Sequence, residues 1–231
     1  MRAGSEAPGS FFGRRKGKQL RAGQGERLER LLPALRIPDP SGSPLLDPAS
    51  LFPAPVRETW LEIGFGGGEH LAHQARSHPA IGFIGVEPFV NGLTKLLAVV
   101  DQESLTNIRL WDDDVALLLP TLSPASFARV YLLYPDPWPK RRQRKRRFLS
   151  EPNLALLARV MRQGAELRFA TDIDDYAGWA IARITRSSDF AWVAARPDDW
   201  RQPWPDWPGT RYENKARREA RGSAYLTFRR T

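Results

Sequence analysis

From residue 56 onward the chain alternates short apolar runs with stretches of helical spacing, and most apolar runs stop at glycines or acids. TWLEIGF (59–65), IGFIGVEP (81–88), NIRLWDDD (107–114) and ARVYLLYPDPWP (128–139) read as four strands. AELRFATD (165–172), FAWVAAR (190–196) and SAYLTFRR (223–230) complete a set of seven. EHLAHQARSH (69–78), NGLTKLLAVVDQES (91–104), a short piece around Val115 to Leu119, FLSEPNLALLARVMRQG (148–164) and DDYAGWAIARITRSS (174–188) read as the helices between them. Strands separated by helices return by crossovers, so the pattern predicts an α/β fold: a mostly parallel seven-stranded sheet with helices on both faces. In such sheets ligands bind beyond the carboxyl ends of the strands. GFGGG, EP, DDD, PDPWP and ATD all fall at those ends.

Residues 1–55 lack this regularity. Residues 1 to about 25 are rich in Gly, Arg and Ser and read as a flexible basic arm. RLERLLPALR (27–36) reads as a short helix that Pro33 interrupts. The prolines at 38, 40, 44, 48, 53 and 55 predict an irregular lead-in, so the domain is expected over residues 56–231. Charge is concentrated: residues 1–36 carry a net +6 and residues 140–147 a net +7, against +9 for the whole chain. The remainder is therefore mildly acidic, and two basic segments on an acidic body suit a polyanionic partner. There is no cysteine for a disulfide or a thiolate metal site, and no apolar window long enough for a membrane span. The start lacks the apolar core of a secretory signal, so the expected compartment is cytoplasmic.

LEIGFGGGEH places glycines at 64, 66, 67 and 68. The dinucleotide fingerprint G-x-G-x-x-G would need glycine at 69, where Glu69 stands, which argues against a nicotinamide cofactor. Acids on both sides of the turn, Glu62 and Glu69, oppose a pyrophosphate and suit a ligand bearing positive charge or hydroxyls. Glu87 ends the second strand, where a carboxylate accepts hydrogen bonds from a ribose, and Asp113 ends the third, within reach of an adenine amino group. S-adenosylmethionine has a ribose, an adenine, a sulfonium and no phosphate, and it fits this set best.

In PDPWPKRRQRKRR (135–147), Pro135, Pro137 and Pro139 restrict Asp136 and Trp138, and seven of the next eight residues are basic. Rigid placement of a carboxylate suits a transfer reaction. The basic run can grip phosphates while Asp136 and the Trp138 ring meet a base.

With LEIGFGGGEH, PDPWPKRRQRKRR, ATD and TRYE, and the basic stretch SFFGRRKG (10–17), the chain resembles the bacterial tRNA (guanine-N7-)-methyltransferase family. The resemblance implies a Rossmann-like class I methyltransferase domain with a basic N-terminal arm, using S-adenosylmethionine to methylate N7 of the guanosine at position 46 in the tRNA variable loop. It implies cofactor contacts from Glu62, Gly64, Gly66, Gly68, Glu87, Asp113 and Asp136, with Asp136 also the active-site residue. Lys140, Asp172, Thr210, Arg211, Tyr212 and Glu213 match the family's substrate-contacting positions. The chain departs in reading TRYE for T-K-F-E, NKARREARG after it, and Gln143 where His is frequent. A monomer and a homodimer are both open.

His70, His73 and His78 share one expected helix and read as surface or capping residues, since no third ligand type lies nearby. Trp200, Trp204 and Trp207 mark a loop that either covers the site, meets RNA or packs on the sheet.

Overall fold

The structure, a computed structural model, describes residues 13–39 and 45–231. Ser10, Phe11 and Phe12 of the SFFGRRKG stretch, and the first twelve residues of the expected arm, lie outside the described residues. Seven strands form one sheet: β1 Glu58–Ile63, β2 Ile81–Val86, β3 Ile108–Trp111, β4 Phe127–Leu133, β5 Met161–Thr171, β6 Phe190–Trp192 and β7 Ala224–Arg230. Their order is β3-β2-β1-β4-β5-β7-β6, with β7 antiparallel to both neighbours and the rest parallel. The order reverses between β1 and β4, so a crevice opens above their carboxyl ends.

The helices are α1 Ala22–Leu35, α2 Glu69–Ser77, α3 Val90–Glu103, α4 Val115–Leu118, α5 Glu151–Val160, α6 Asp174–Ile184, α7 Asp198–Arg201 and α8 Arg211–Arg218. The sheet separates two apolar layers. Leu32 of α1, Leu71 of α2 and Leu93, Leu96 and Leu97 of α3 pack on one face with Trp60, Tyr131 and Tyr225. Leu118 of α4, Leu154 and Leu157 of α5 and Tyr176 and Ile184 of α6 pack on the other, against Leu61, Val130, Leu167 and Phe169.

Several boundaries differ from the sequence reading. α1 begins at Ala22, inside the segment expected to be flexible, and runs through Pro33. Pro33 sits in the last turn, where burying Leu32 beneath α3 and β3 outweighs one lost hydrogen bond. β4 stops at Leu133 rather than running on to residue 139, and α5 gives way to β5 at Met161. α7 and α8 were not anticipated. The TRYE segment is an N-terminal cap: the Thr210 hydroxyl accepts the Glu213 N–H at 3.1 Å.

The proline-rich lead-in also joins the body. Ile37 is buried and donates its N–H to Leu110 at 2.8 Å. Phe52 lies so close over Gly82 that a Cβ there would stand 2.4 Å from its ring. Arg109 donates to the Leu51 carbonyl at 2.8 Å and sets its guanidinium 5.2 Å from the Phe52 ring. Among the described residues no helix is long and apolar enough to cross a membrane.

Phe52→Ala should therefore lower folding stability by about 2 kcal/mol in urea denaturation, from lost apolar burial. An unchanged midpoint would show that residues 46–52 do not belong to the folded body.

Candidate active site

A cavity of about 740 Å³ lies at the crevice between the carboxyl ends of β1, β2 and β4, within the usual size for a small-molecule site. Its walls include Gly64 and Gly66 after β1, Glu87 after β2, Asp114 to Ala116 after β3, and Tyr134 to Asp136 after β4. Arg211 and Tyr212 of α8 and Gly13 and Arg14 of the N-terminal segment close its edge.

The glycine turn forms because Gly64, Gly66 and Gly68 have φ of +72°, +59° and +79°, where a side chain is strained. Gly66 donates its N–H to Glu87 at 2.7 Å, and Phe89 donates its own at 2.9 Å to the other carboxylate oxygen. Glu87 thus clasps the turn after β1 to the turn after β2, and each oxygen keeps acceptor capacity toward the cavity. Burial pushes its pKa up, only partly offset by the two backbone donors and by Arg211, and Asp136 adds to the rise. Gly92, in the first turn of α3, completes the clasp. A Cβ there would stand 2.1 Å from the Gly66 carbonyl oxygen, so α3 approaches the turn only because residue 92 is glycine.

Asp136 is exposed on a turn whose two ends, Tyr134 (φ +49°) and Trp138 (φ +41°), are both left-handed. Such residues cost roughly 1–3 kcal/mol each and persist only where neighbours over-determine them. Tyr134 donates its N–H to Ala170 at 2.8 Å and its hydroxyl to Ser223 at 2.9 Å, and its ring stacks on Tyr212 at 6.5 Å. At the other end Arg147, buried between Tyr176 (4.8 Å) and Trp179 (5.2 Å), donates Nε–H to the Pro137 carbonyl at 2.8 Å and binds the Asp175 carboxylate. Arg146 lies 5.0 Å over the Trp138 ring.

The other site residues named from the sequence are dispersed. Glu62 is buried, and its carboxylate bonds His70 Nδ1 at 2.7 Å rather than facing the cavity. Both acids expected beside the turn flank it: Glu62 bonds His70 just beyond it, and Glu69 folds back over Gly67. Gly68 caps α2 against Leu96. Asp113 meets Arg15 at 2.6 Å at the rim, while its neighbour Asp114 lines the cavity and caps α4. Lys140 is exposed and caps the 3-10 turn Arg141–Arg146. Asp172 is held by Arg221 at 2.6 Å. Thr210 caps α8, and Glu213 is buried, accepting from Trp207 Nε1 and the Tyr225 hydroxyl at 2.7 Å each and pairing with Arg217. Glu213 thereby fixes the helix that carries Arg211 and Tyr212 to the cavity.

The tryptophan loop packs on the sheet. Trp204 donates to Thr227 at 2.9 Å and meets Tyr225 edge-on. His70 is a buried residue, contrary to the surface position expected, because its imidazole partners the Glu62 carboxylate. Among the described residues no cluster of three His, Asp or Glu is arranged to hold a metal ion.

A family model described as "Putative methyltransferase" matches residues 56–226. The chain belongs to that family. A protein from Agrobacterium fabrum (strain C58 / ATCC 33970) named tRNA (guanine-N(7)-)-methyltransferase is 55% identical, covering 97% of this chain and 96% of that protein. One of the same name from Rhizobium meliloti (strain 1021) is 52% identical over 98% and 97%. The crystal structure of the 16S rRNA methyltransferase KamB shares the fold, with a TM-score of 0.56 at 17% identity over 76% of this chain and 89% of that one.

The cofactor of this enzyme is S-adenosylmethionine, and the cavity fits it. Nothing lies within 4 Å of a Cβ built on Gly64, so the turn opens onto free space. The carboxylates of Glu87 and Asp136 line that space, suited to hydroxyl donors and to a cation. Gly92 and Tyr134 belong to no motif of the sequence, and the basic run hides the inward placement of Arg147. Gly92 sat in an expected helix, where glycine costs stability and so signals close packing.

Gly92→Ala should lose about 1–3 kcal/mol of stability from overpacking and bind S-adenosylmethionine more weakly by isothermal titration. Unaltered affinity would separate the cofactor site from the clasp. Because Glu87 protonates at higher pH than an ordinary carboxylate, cofactor affinity should begin to fall at a pH above the range in which ordinary carboxylates titrate, and Glu87→Gln should abolish that dependence. In the cofactor-free protein the sign reverses: this group favours folding most below its unfolded pKa, and the contribution fades as pH rises through the folded pKa.

Proposed function

We propose that the enzyme methylates N7 of a guanosine in tRNA, that the guanosine lies in the variable loop, and that Asp136 orients it and stabilises the charge it gains. The observation that carries this reading is the locked turn: Asp136 and Glu87 line one cavity, and the chain runs from Asp136 directly into a basic segment. Relatives matched over nearly the whole chain bear the same activity in their names.

When bound, S-adenosylmethionine supplies an electrophilic methyl group, and its transfer to a ring-nitrogen lone pair leaves the base cationic with no proton to remove. Glu87 holds the glycine turn in place and presents acceptors to the cavity. Asp136, on a backbone with little freedom, stands where positive charge develops on the base, and a preorganised carboxylate there needs no reorganisation as the reaction proceeds. Arg211 and Tyr212 reach over Gly66 of the turn and close the cavity there. The basic run supplies affinity for the RNA backbone, independent of base identity. The enzyme works in the cytoplasm, where its tRNA substrate is.

Asp136→Ala should lower kcat by about 10²–10³ fold and leave tRNA binding within about twofold of wild type, measured by methyl transfer to tRNA and by filter binding. The pH–rate profile should lack an essential base near neutrality. An essential base there would oppose the assigned role of Asp136.

A further inference from the structure

A second cavity, of about 590 Å³, adjoins the first. Lys145, Ser150 and Pro152 line both, so the two share a wall. Arg141, Arg144 and Arg183 line it as well, and Glu151 is the single carboxylate among its lining residues. Arg183 pairs with Glu151 at 2.7 Å, but that carboxylate side chain is 79% exposed, so the pair is weak and open to exchange. Arg144 is oriented by Asp175 at 2.6 Å. Trp179 also lines the cleft, yet guanidinium groups already lie over its ring, Arg183 at 4.5 Å and Arg147 at 5.2 Å. A base therefore has little indole to stack on. The chemistry left is that of an anion with several oxygens, which arginine forks match.

We propose that this cleft takes a backbone phosphate of the RNA strand adjoining the nucleotide under methylation, with Arg141 and Arg183 its principal contacts. The inference rests on the RNA-methylating function proposed above and specifies where the strand runs. A strand whose target base occupies the first cavity crosses the shared wall at Lys145 and Ser150, and its neighbouring phosphate enters the cleft. Arg183, on α6, lies outside the basic run and outside every motif noted in the sequence.

The test uses the full chain with Arg141→Gln, Arg183→Gln and both together, assayed on tRNA over a salt series. The double variant should show a tRNA KM raised about tenfold with kcat and S-adenosylmethionine affinity held within about twofold. Its log–log salt slope should shrink by about 0.7 per lost single-strand phosphate contact. Arg76→Gln, on α2 and paired with Glu103, should match wild type throughout. A tRNA with a neutral methylphosphonate beside the target guanosine should reproduce the KM rise in wild type and add nothing in the double variant. If Arg183→Gln fails to fold, exposed Arg141→Gln carries the test alone, with a smaller rise in KM and loss of slope. A folded variant with wild-type KM and slope, or full additivity with every neutral linkage, would overturn the cleft while leaving tRNA methylation standing. A wild-type chain that neither binds nor methylates tRNA would overturn both.

Discussion

Arg147 is sealed from solvent between Tyr176 and Trp179, and its guanidinium joins the carbonyl of Pro137 to the carboxylate of Asp175. Burying a charge costs several kcal/mol unless it is paired and hydrogen-bonded. Here the pairing is with α6, and the backbone bond reaches the turn that carries Asp136. Without that anchor, left-handed Tyr134 and Trp138 would relax toward ordinary conformations and the carboxylate between them would swing. The hydrogen bond from Arg147 holds Asp175 below the usual carboxylate range, so the anchor stays charged to pH values below those at which most carboxylates protonate. The prolines narrow the turn's conformations; the arginine selects one.

A similar division of labour holds at the glycine turn. The glycines permit the backbone to bend, but Glu87 decides where it goes, by accepting from Gly66 and Phe89 together. Its burial raises the energy of the charged form, and a ligand offering hydroxyls or positive charge would stabilise that form. On the far side, Glu213 stands in for a solvated acid of the TRYE segment. It ties Trp207 and Tyr225 beneath α8, so Arg211 and Tyr212 can reach over Gly66. Two buried carboxylates thus position what two cavity-facing elements do.

The alternation of apolar runs and helical spacing was enough to place all seven strands, most plainly β1 and β2, where parallel strands buried on both faces read as continuous apolar sequence. Glycine at positive φ and acids at strand ends were equally readable. What could not be read was direction. WDDD offers three acids in a row, and the structure gives them separate roles: Asp112 meets Arg36, Asp113 meets Arg15, and Asp114 caps α4 and lines the cavity. Glu62 reads from the sequence as a ligand contact, and strand alternation sets its carboxylate against His70. The Pro-rich lead-in read as irregular, and among its described residues irregular backbone still buries Ile37 and presses Phe52 on Gly82. TRYE contained a helix N-cap in plain letters, Thr210 accepting from the Glu213 N–H. Its cue lay in spacing, and the resemblance to a family motif drew attention to substrate contact instead.

The basic run shows why composition alone misjudges a charged segment. Seven cations in eight residues read as one phosphate-gripping surface, yet Arg147 faces inward, Arg144 is oriented by Asp175, and Arg146 covers Trp138. Arginine serves all of these, since its planar fork stacks on rings and bonds carbonyls and carboxylates together, which an ammonium cannot. Lysine at 147 would keep the charge but lose the simultaneous reach to Pro137 and Asp175. Arg141, by contrast, points outward. Affinity and placement are thereby assigned to different side chains of one short segment. On the proposed reading, the grip on the strand and the turn that holds the base are separated by the single 3-10 turn Arg141–Arg146, which limits the slack between them.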